Sequence, residues 1–130
     1  MAFDYKKEYK QLYQPKNKPE LIQVPPMQFV AVEGKGNPNE ENGAYADALA
    51  LLYAISFTVK MSHLGSKKIE GYFPYVVPPL EGLWWMSNGE PGVDYSRKSE
   101  FCWISMIRLP DFADQSVLDW AKEEVCRKKK

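Results

Sequence analysis

The clearest chemical candidate in the sequence is Glu81, which stands in the run Leu80-Glu81-Gly82-Leu83-Trp84-Trp85. A carboxylate flanked by aliphatic and indole side chains is poorly hydrated, and burial favours its neutral form unless a cation or hydrogen-bond donors compensate. A flat aromatic cation would supply that compensation and would also be attracted by the π faces of the tryptophans. Glu81 is therefore predicted to bind such a ligand. The alternative is that it pairs with a lysine or caps a turn at a sheet edge.

Aromatic side chains are the second notable feature, with 4 Trp, 8 Tyr and 6 Phe in 130 residues. This number exceeds what one small core needs, so some of the rings should line a concave surface, although each taken singly is more often a core residue. The candidate ligand-binding residues are Trp84, Trp85, Tyr45, Tyr53, Phe57, Tyr75 and Trp103. Strand alternation puts Glu81 and Trp85 on one face and Trp84 on the other. A bulge at the preceding prolines would shift that parity, so both tryptophans stay candidates.

Other kinds of site have little basis in the sequence. The single histidine, His63, has no evident Ser or Cys partner, and Cys102 and Cys126 are not at metal-ligand spacing. Gly34-Lys35-Gly36 lacks the rest of a phosphate-binding fingerprint, and Glu33 beside it is interpreted as a turn residue. No metal and no cofactor are expected.

The elements that must position these residues follow from the apolar patterns. Strands are predicted at residues 28–33, over the proline-interrupted run 72–85 and at 101–109, and helices at 43–64 and from Ser116 to about 128. Ser116, with Asp119 three residues later, is interpreted as the cap of the last helix. The order strand, helix, strand, strand, helix predicts an α+β fold, an antiparallel sheet with helices on one face.

The helix at 43–64 is apolar on two sides. One stripe consists of Tyr45, Ala48, Leu49, Leu52, Ile55 and Val59, and the other of Ala46, Ala50, Tyr53, Phe57 and Met61. A surface helix buries one apolar stripe, so this one should contact its own sheet and also another module, a second chain or a ligand.

The overall composition excludes some classes of function. Lys plus Arg and Asp plus Glu number 17 each, and a chain of zero net charge lacks the basic face of a nucleic-acid-binding protein. No uninterrupted apolar stretch approaches the ~20 residues that cross a bilayer, so no membrane association is expected. The first residues carry no apolar signal segment, and we expect a cytoplasmic protein with reduced cysteines.

Several stretches resemble the GyrI-like small-molecule-binding family, most closely its stand-alone bacterial members. The resemblance rests on Tyr9–Pro15, FVAVEGKGNP at 29–38, PPLEGLWW at 78–85, IRLP at 107–110 and WAKEE at 120–124. It implies two strand–helix–strand–strand modules related by a pseudo-two-fold axis, with a cleft between them that binds hydrophobic, often cationic molecules. The resemblance extends to stand-alone members that are hydrolases and open the strained cyclopropane ring of DNA-alkylating natural products. By that likeness Glu81 would activate water, and Trp84 or Trp85 would stack on the ligand.

The chain departs from the family pattern in its length. It contains one module (20–130) after an N-terminal extension (1–19), so half of the tandem fold is absent or is supplied by another chain. We expect a homodimer that rebuilds the paired arrangement, with a small molecule as the ligand. Three functions stay open: a binder of planar cationic compounds, a cyclopropane-ring hydrolase, and an inhibitor resembling family members that bind DNA gyrase. Zero net charge disfavours the third.

Overall fold

A computed structural model describes residues 2–15, 17–65 and 67–128. Five strands and four helices are found within these ranges: β1 (Phe3–Asp4), α1 (Tyr5–Glu8), α2 (Lys10–Tyr13), β2 (Gln28–Lys35), α3 (Ala44–Lys60), β3 (Tyr75–Val76), β4 (Leu80–Met86), β5 (Phe101–Leu109) and α4 (Gln115–Lys128). Short 3₁₀ turns lie at Met61–Leu64 and Lys98–Glu100.

The main sheet has three antiparallel strands in the order β2-β5-β4. β5 is central, and its Ile107 pairs with Val30 of β2 on one side and with Leu80 of β4 on the other. The predicted run 72–85 is divided at Pro78-Pro79, because proline cannot donate to a strand ladder. Its first part, β3, pairs in parallel with β1 instead.

Both long helices pack on one face of this sheet. The core joins Val30, Ile107 and Leu109 of the sheet to Leu52, Ile55 and Val59 of α3 and to Val117, Ala121 and Val125 of α4. Alternation along β5 supplies the sheet's share, since its odd-numbered residues from Phe101 to Leu109 are all buried. This arrangement confirms the predicted α+β class.

The two stripes of α3 have different environments. Ala48, Leu52, Ile55 and Val59 of the first stripe are buried, whereas every member of the second, Ala46, Ala50, Tyr53, Phe57 and Met61, is exposed. With its 3₁₀ extension the helix has 21 residues, and its most apolar 18-residue stretch has a mean hydropathy of 1.2 and is 28% buried. Its length and composition would therefore suit a membrane span. Asp47 and Lys60 interrupt its apolar side chains, which is why the sequence shows no uninterrupted apolar run of this length. Core helices of soluble proteins can have the same length and composition, and the buried stripe of α3 packs on the sheet.

The N-terminal residues pack against the module through aromatic rings. The ring of Phe3 lies 5.7 Å from that of Phe73, and Tyr5 is buried with its ring 6.5 Å from that of Tyr75. Residues 3–13 are therefore in contact with the sheet and its loops, while the boundary between residues 19 and 20 stays a prediction.

Two local predictions are wrong. Asp114, and not Ser116, caps α4, because its Oδ1 accepts hydrogen bonds from the Val117 backbone N–H (3.0 Å) and from the Ser116 hydroxyl (2.7 Å). Glu33 is not a turn residue, since β2 continues to Lys35 and Glu33 pairs with Ile104.

Gly34 provides a test of the core. A Cβ atom at this position would stand 2.4 Å from the ring of Trp103, which is 1% exposed and cannot move aside. We expect Gly34→Ala to lower the free energy of unfolding by about 1–3 kcal/mol in urea denaturation, the usual cost of overpacking. Gly65→Ala, whose nearest neighbour would be the Ser62 carbonyl oxygen at 3.8 Å, is the matched control. Equal stability of the two variants would contradict this packing.

Candidate functional site

The face of the sheet opposite the helices carries the predicted carboxylate. Strand register places three rows of side chains there, which we call the open face: Phe29, Ala31, Glu33 and Lys35 from β2; Cys102, Ile104, Met106 and Arg108 from β5; Glu81, Leu83 and Trp85 from β4. Glu81 stands beside Met106, and Ala31 lies across Met106 on the other edge. The neighbours of Glu81 across and along the strands are therefore mostly apolar.

Large apolar side chains of the open face are left in contact with solvent. Leu83 is 56% exposed and Trp85 is 37% exposed, and Ile104 and Met106 are only half-buried. A sheet face with this composition is typical of a surface that contacts a ligand or another module.

A hollow of about 360 Å³ opens beside Glu81 at one end of the open face. Its walls come from α2, from the irregular segment before β2 and from β2 itself: Leu12, Tyr13, Ile22, Val24, Pro25, Met27 and Phe29. Glu81 is the one carboxylate in this otherwise apolar lining. Ile22 and Val24, in the irregular segment before β2, thus form part of the wall of this hollow.

The Glu81 carboxyl is partly desolvated although its residue is exposed. Burial raises the pKa of Glu81 above its usual value, and the charge of Arg108 lowers that pKa by a smaller amount. The two residues occupy diagonal positions on neighbouring strands, roughly 7–8 Å apart in an antiparallel pair. Within the part of the chain that the structure describes, no Lys, Arg or His nitrogen lies within 4 Å of the Glu81 carboxylate.

Arg108 itself is held by tyrosines. It is 6% exposed, its guanidinium carbon lies 4.6 Å from the ring centroid of Tyr5 and 5.2 Å from that of Tyr9, and Nη1 donates to the Tyr13 hydroxyl at 3.4 Å. Aromatic faces stabilise a guanidinium without neutralising it. Arg108 is thus a buried positive charge next to the hollow, and Tyr13 belongs to both.

The predicted aromatic residues do not form one wall. Trp85 shares the open face with Glu81, but Trp84 points to the helix-covered side, where its ring lies 5.3 Å from Tyr45 and 5.9 Å from Phe101. Trp84 also borders a separate hollow of about 400 Å³, next to Pro38 and Tyr95. Tyr53 and Phe57 lie on the outer stripe of α3, away from Glu81.

Tyr75 and Trp103 are core residues in this structure. Each is 1% exposed, because Trp103 packs against Gly34 and Tyr45 while the Tyr75 hydroxyl approaches the Ser56 carbonyl oxygen at 3.5 Å. The sequence suggested that both residues line a cleft, whereas the structure places them inside the fold.

Sequence reasoning missed Arg108, Tyr13 and Phe29. A usable signal was present for Arg108, the one charged residue within the apolar run Phe101–Leu109, since a charge in a central strand must find partners. No comparable signal marks Tyr13 or Phe29, because their positions in the hollow depend on the strand order β2-β5-β4 and on how α2 packs beside the sheet. Among the described residues no three His, Cys, Asp or Glu side chains are grouped in a way that could hold a metal ion.

The pKa of Glu81 leads to a testable pH dependence. Since its folded-state pKa is raised above 4.5, ionising Glu81 costs stability, and this cost is absent below pH 4.5 and complete above the folded pKa. We expect the unfolding free energy of Glu81→Gln relative to wild type to increase as pH rises from 4.5 toward neutrality, measured by urea denaturation. Glu123→Gln, which removes an exposed carboxylate from α4, is the control. A pH-independent difference would contradict the desolvation.

Comparison with known proteins agrees with this architecture. Residues 17–124 match the GyrI-like small molecule binding domain. Crystal structures from Listeria innocua that share the fold include an uncharacterized conserved protein with a TM-score of 0.86 and 47% identity, covering 98% of this chain and 60% of that one.

Two similar structures are hydrolases from the same organism. One, encoded by lin2189, has a TM-score of 0.86 and 46% identity over 99% of this chain and 60% of that chain. The other has a TM-score of 0.83 and 46% identity over 98% and 59%. The chain thus spans about three-fifths of the length of these proteins, and no curated protein matches it. The chain belongs to the family of GyrI-like small-molecule-binding domains.

Proposed function

We propose that this domain binds planar, hydrophobic, cationic small molecules on the open face, with Glu81 as the counter-ion. The observation that supports this most directly is the Glu81 carboxylate, which lines an apolar hollow and has no basic nitrogen within 4 Å among the described residues. Membership of a small-molecule-binding family supports the same proposal.

A cationic ligand would stabilise the ionised carboxylate of Glu81. Burial destabilises the ionised form of Glu81, and a positive charge brought into contact with the carboxylate offsets that cost. A neutral ligand would cover the carboxylate without compensation and would be penalised. The site therefore favours cationic over neutral molecules of equal shape.

Arg108 constrains the orientation of the ligand. Its buried guanidinium lies toward the Phe29 end of the open face and would repel a cation there. The positive group should therefore approach Glu81 from the Leu83 side, where Trp85 follows on the same face, about 13 Å along the strand from Glu81. A flat ring system lying across Leu83 would reach the Trp85 indole, and an apolar substituent would enter the hollow.

This proposal is tested by titrating the protein with rhodamine 6G, a planar cationic dye, and following fluorescence polarisation. We expect Glu81→Gln to weaken binding about tenfold, because a partly desolvated charge contact contributes about 1–2 kcal/mol. Trp85→Ala should weaken binding as well through loss of stacking area. Glu123→Gln, with the same change in net charge, should leave the affinity unchanged. Equal affinity of Glu81→Gln and wild type would contradict the site.

A second copy of the chain is the proposed cover of the open face. A symmetric pair would place the same patch of each protomer at the seam, with a ligand between the two sheets. The exposed stripe of α3 cannot serve this purpose, since it lies on the opposite side of the sheet from Glu81. The dye titration, run with sedimentation velocity, should give one ligand per two chains; a monomer that binds one ligand per chain would contradict the pairing.

Hydrolysis is the second candidate, favoured by the two similar Listeria innocua hydrolases. Glu81 would accept a proton from water as the water oxygen bonds to a carbon of a strained cyclopropane. The ring C–C bond breaks, and its electron pair takes up the proton that Glu81 returns. Water is thus added across the bond without a redox partner.

Turnover of a duocarmycin-type cyclopropane substrate, followed by chromatography and mass spectrometry, tests this candidate. The hydrolysis product should gain the mass of one water, and Glu81→Gln should lower kcat at least 100-fold, the typical contribution of a general base. If the substrate binds and no product forms, the hydrolase candidate is excluded and only the binding function remains.

A further inference from the structure

A larger hollow lies on the helix side of the sheet, away from Glu81. It has a volume of about 520 Å³ and is formed where the end of α3 and its 3₁₀ turn face α4. Small-molecule sites commonly occupy roughly 300–1,000 Å³. We call it the basic groove; its walls include Phe57, Met61, Leu64, Trp120, Lys67 and Lys128.

The apolar walls of the basic groove are unusually open to solvent. Phe57 is 50% exposed, Met61 45% and Leu64 69%, and the three follow one another along the outer stripe of α3 and its 3₁₀ turn. Trp120 of α4 is half-buried on the opposite wall. Contiguous exposed apolar side chains at a concave surface indicate a binding site more than a solvated helix.

Positive charge surrounds these apolar walls. Arg127 pairs with Glu124, so the two compensate each other. Lys67 and Lys128 have no carboxylate oxygen within 4 Å in the described portion of the chain. Lys67 acts on Asp114 only at longer range, and the Asp114 carboxylate already accepts hydrogen bonds from Ser116 and Val117. The groove therefore has a surplus of two positive charges.

Two lysines already lie over the aromatic walls. The Lys67 ammonium is 5.8 Å from the Trp120 ring centroid, and that of Lys60 is 5.9 Å from the Phe57 ring centroid. Cations in these positions leave the rest of each ring free for an apolar body, while their remaining N–H groups are free to donate to an anion. Ser62, only 5% exposed, adds a polar group to the lining.

We propose that the basic groove is a second ligand site, which binds organic anions that join one carboxylate or sulfonate to a flat or extended apolar body. The anionic group lies between Lys67 and Lys128, and the apolar body covers Phe57, Met61 and Trp120. The preferred charge is opposite to that of the ligand proposed for the open face. The two sites are on opposite sides of the sheet, so this inference does not depend on the function of Glu81.

The probe is 8-anilinonaphthalene-1-sulfonate, whose fluorescence rises in apolar surroundings, with decanoate as a competitor. We expect one probe per chain, displacement by decanoate, and a roughly tenfold higher Kd for the double variant Lys67→Gln/Lys128→Gln. Phe57→Gln should weaken binding while leaving the thermal midpoint nearly unchanged, because this side chain is on the surface. Lys122→Gln, an exposed lysine on the other side of α4, is the matched control.

The same variants separate the two sites. Glu81→Gln should leave binding of the sulfonate probe unchanged, and Lys67→Gln/Lys128→Gln should leave rhodamine 6G binding unchanged. The inference is overturned if the double variant binds the probe like wild type, or if Lys122→Gln weakens binding equally. It is also overturned if decanoate fails to compete and the protein instead sediments with vesicles of phosphatidylglycerol. A further contradicting result is probe binding that falls as the protein concentration rises, because this would show that a second copy of the chain closes the groove.

Discussion

Both long helices pack on the same face of the β2-β5-β4 sheet, and strand alternation therefore divides the side chains of β2 and β5 into a set that faces the core and a set that faces away from the helices. Val30 and Ile107 enter the core, while Glu81, Met106 and Leu83 stay on the uncovered face. A one-residue slip in β4 would turn the Glu81 side chain to the helix-covered side of the sheet. The tight approach of Trp103 to Gly34, which pairs with it across β2 and β5, supports the register from inside the core.

The electrostatics of the open face depend on Arg108 being confined. Its guanidinium is stabilised by the rings of Tyr5 and Tyr9 and by one hydrogen bond to Tyr13, so its charge persists beside Glu81 without forming an ion pair within 4 Å. A direct pair would neutralise the carboxylate and remove its capacity to attract a ligand cation or to accept a proton. The N-terminal residues thus contribute to the site by holding this positive charge in place.

The outer surface of α3 adds a second consequence of the one-sided architecture. The helix is apolar on two sides, and the sheet covers only one of its stripes, so Tyr53, Phe57 and Met61 are left exposed. At the C-terminal end of this stripe the lysines near α4 change its character from apolar to amphipathic. A chain with zero net charge thus has a single carboxylate in the lining of the hollow beside the open face and a positive surplus in the lining of the basic groove.

Much of the architecture was predictable from the sequence, because apolar periodicity and prolines act locally. These patterns predicted the order of the strands and long helices from β2 to α4 and the two apolar stripes of α3, and the residues around Glu81 suggested the family. The run 72–85 was predicted as one proline-interrupted strand, and the structure divides it at Pro78-Pro79. Only the tertiary structure decided where each ring lies. Tyr75 and Trp103 are buried in the core, and Trp84 and Trp85 lie on opposite faces of the sheet. Tyr13 and Phe29, which are distant from Glu81 in the sequence, line the same hollow. The physical reason is that an aromatic side chain is stabilised by burial in a core and by burial in a cleft alike. Which of the two it occupies depends on contacts between segments that are far apart in the chain.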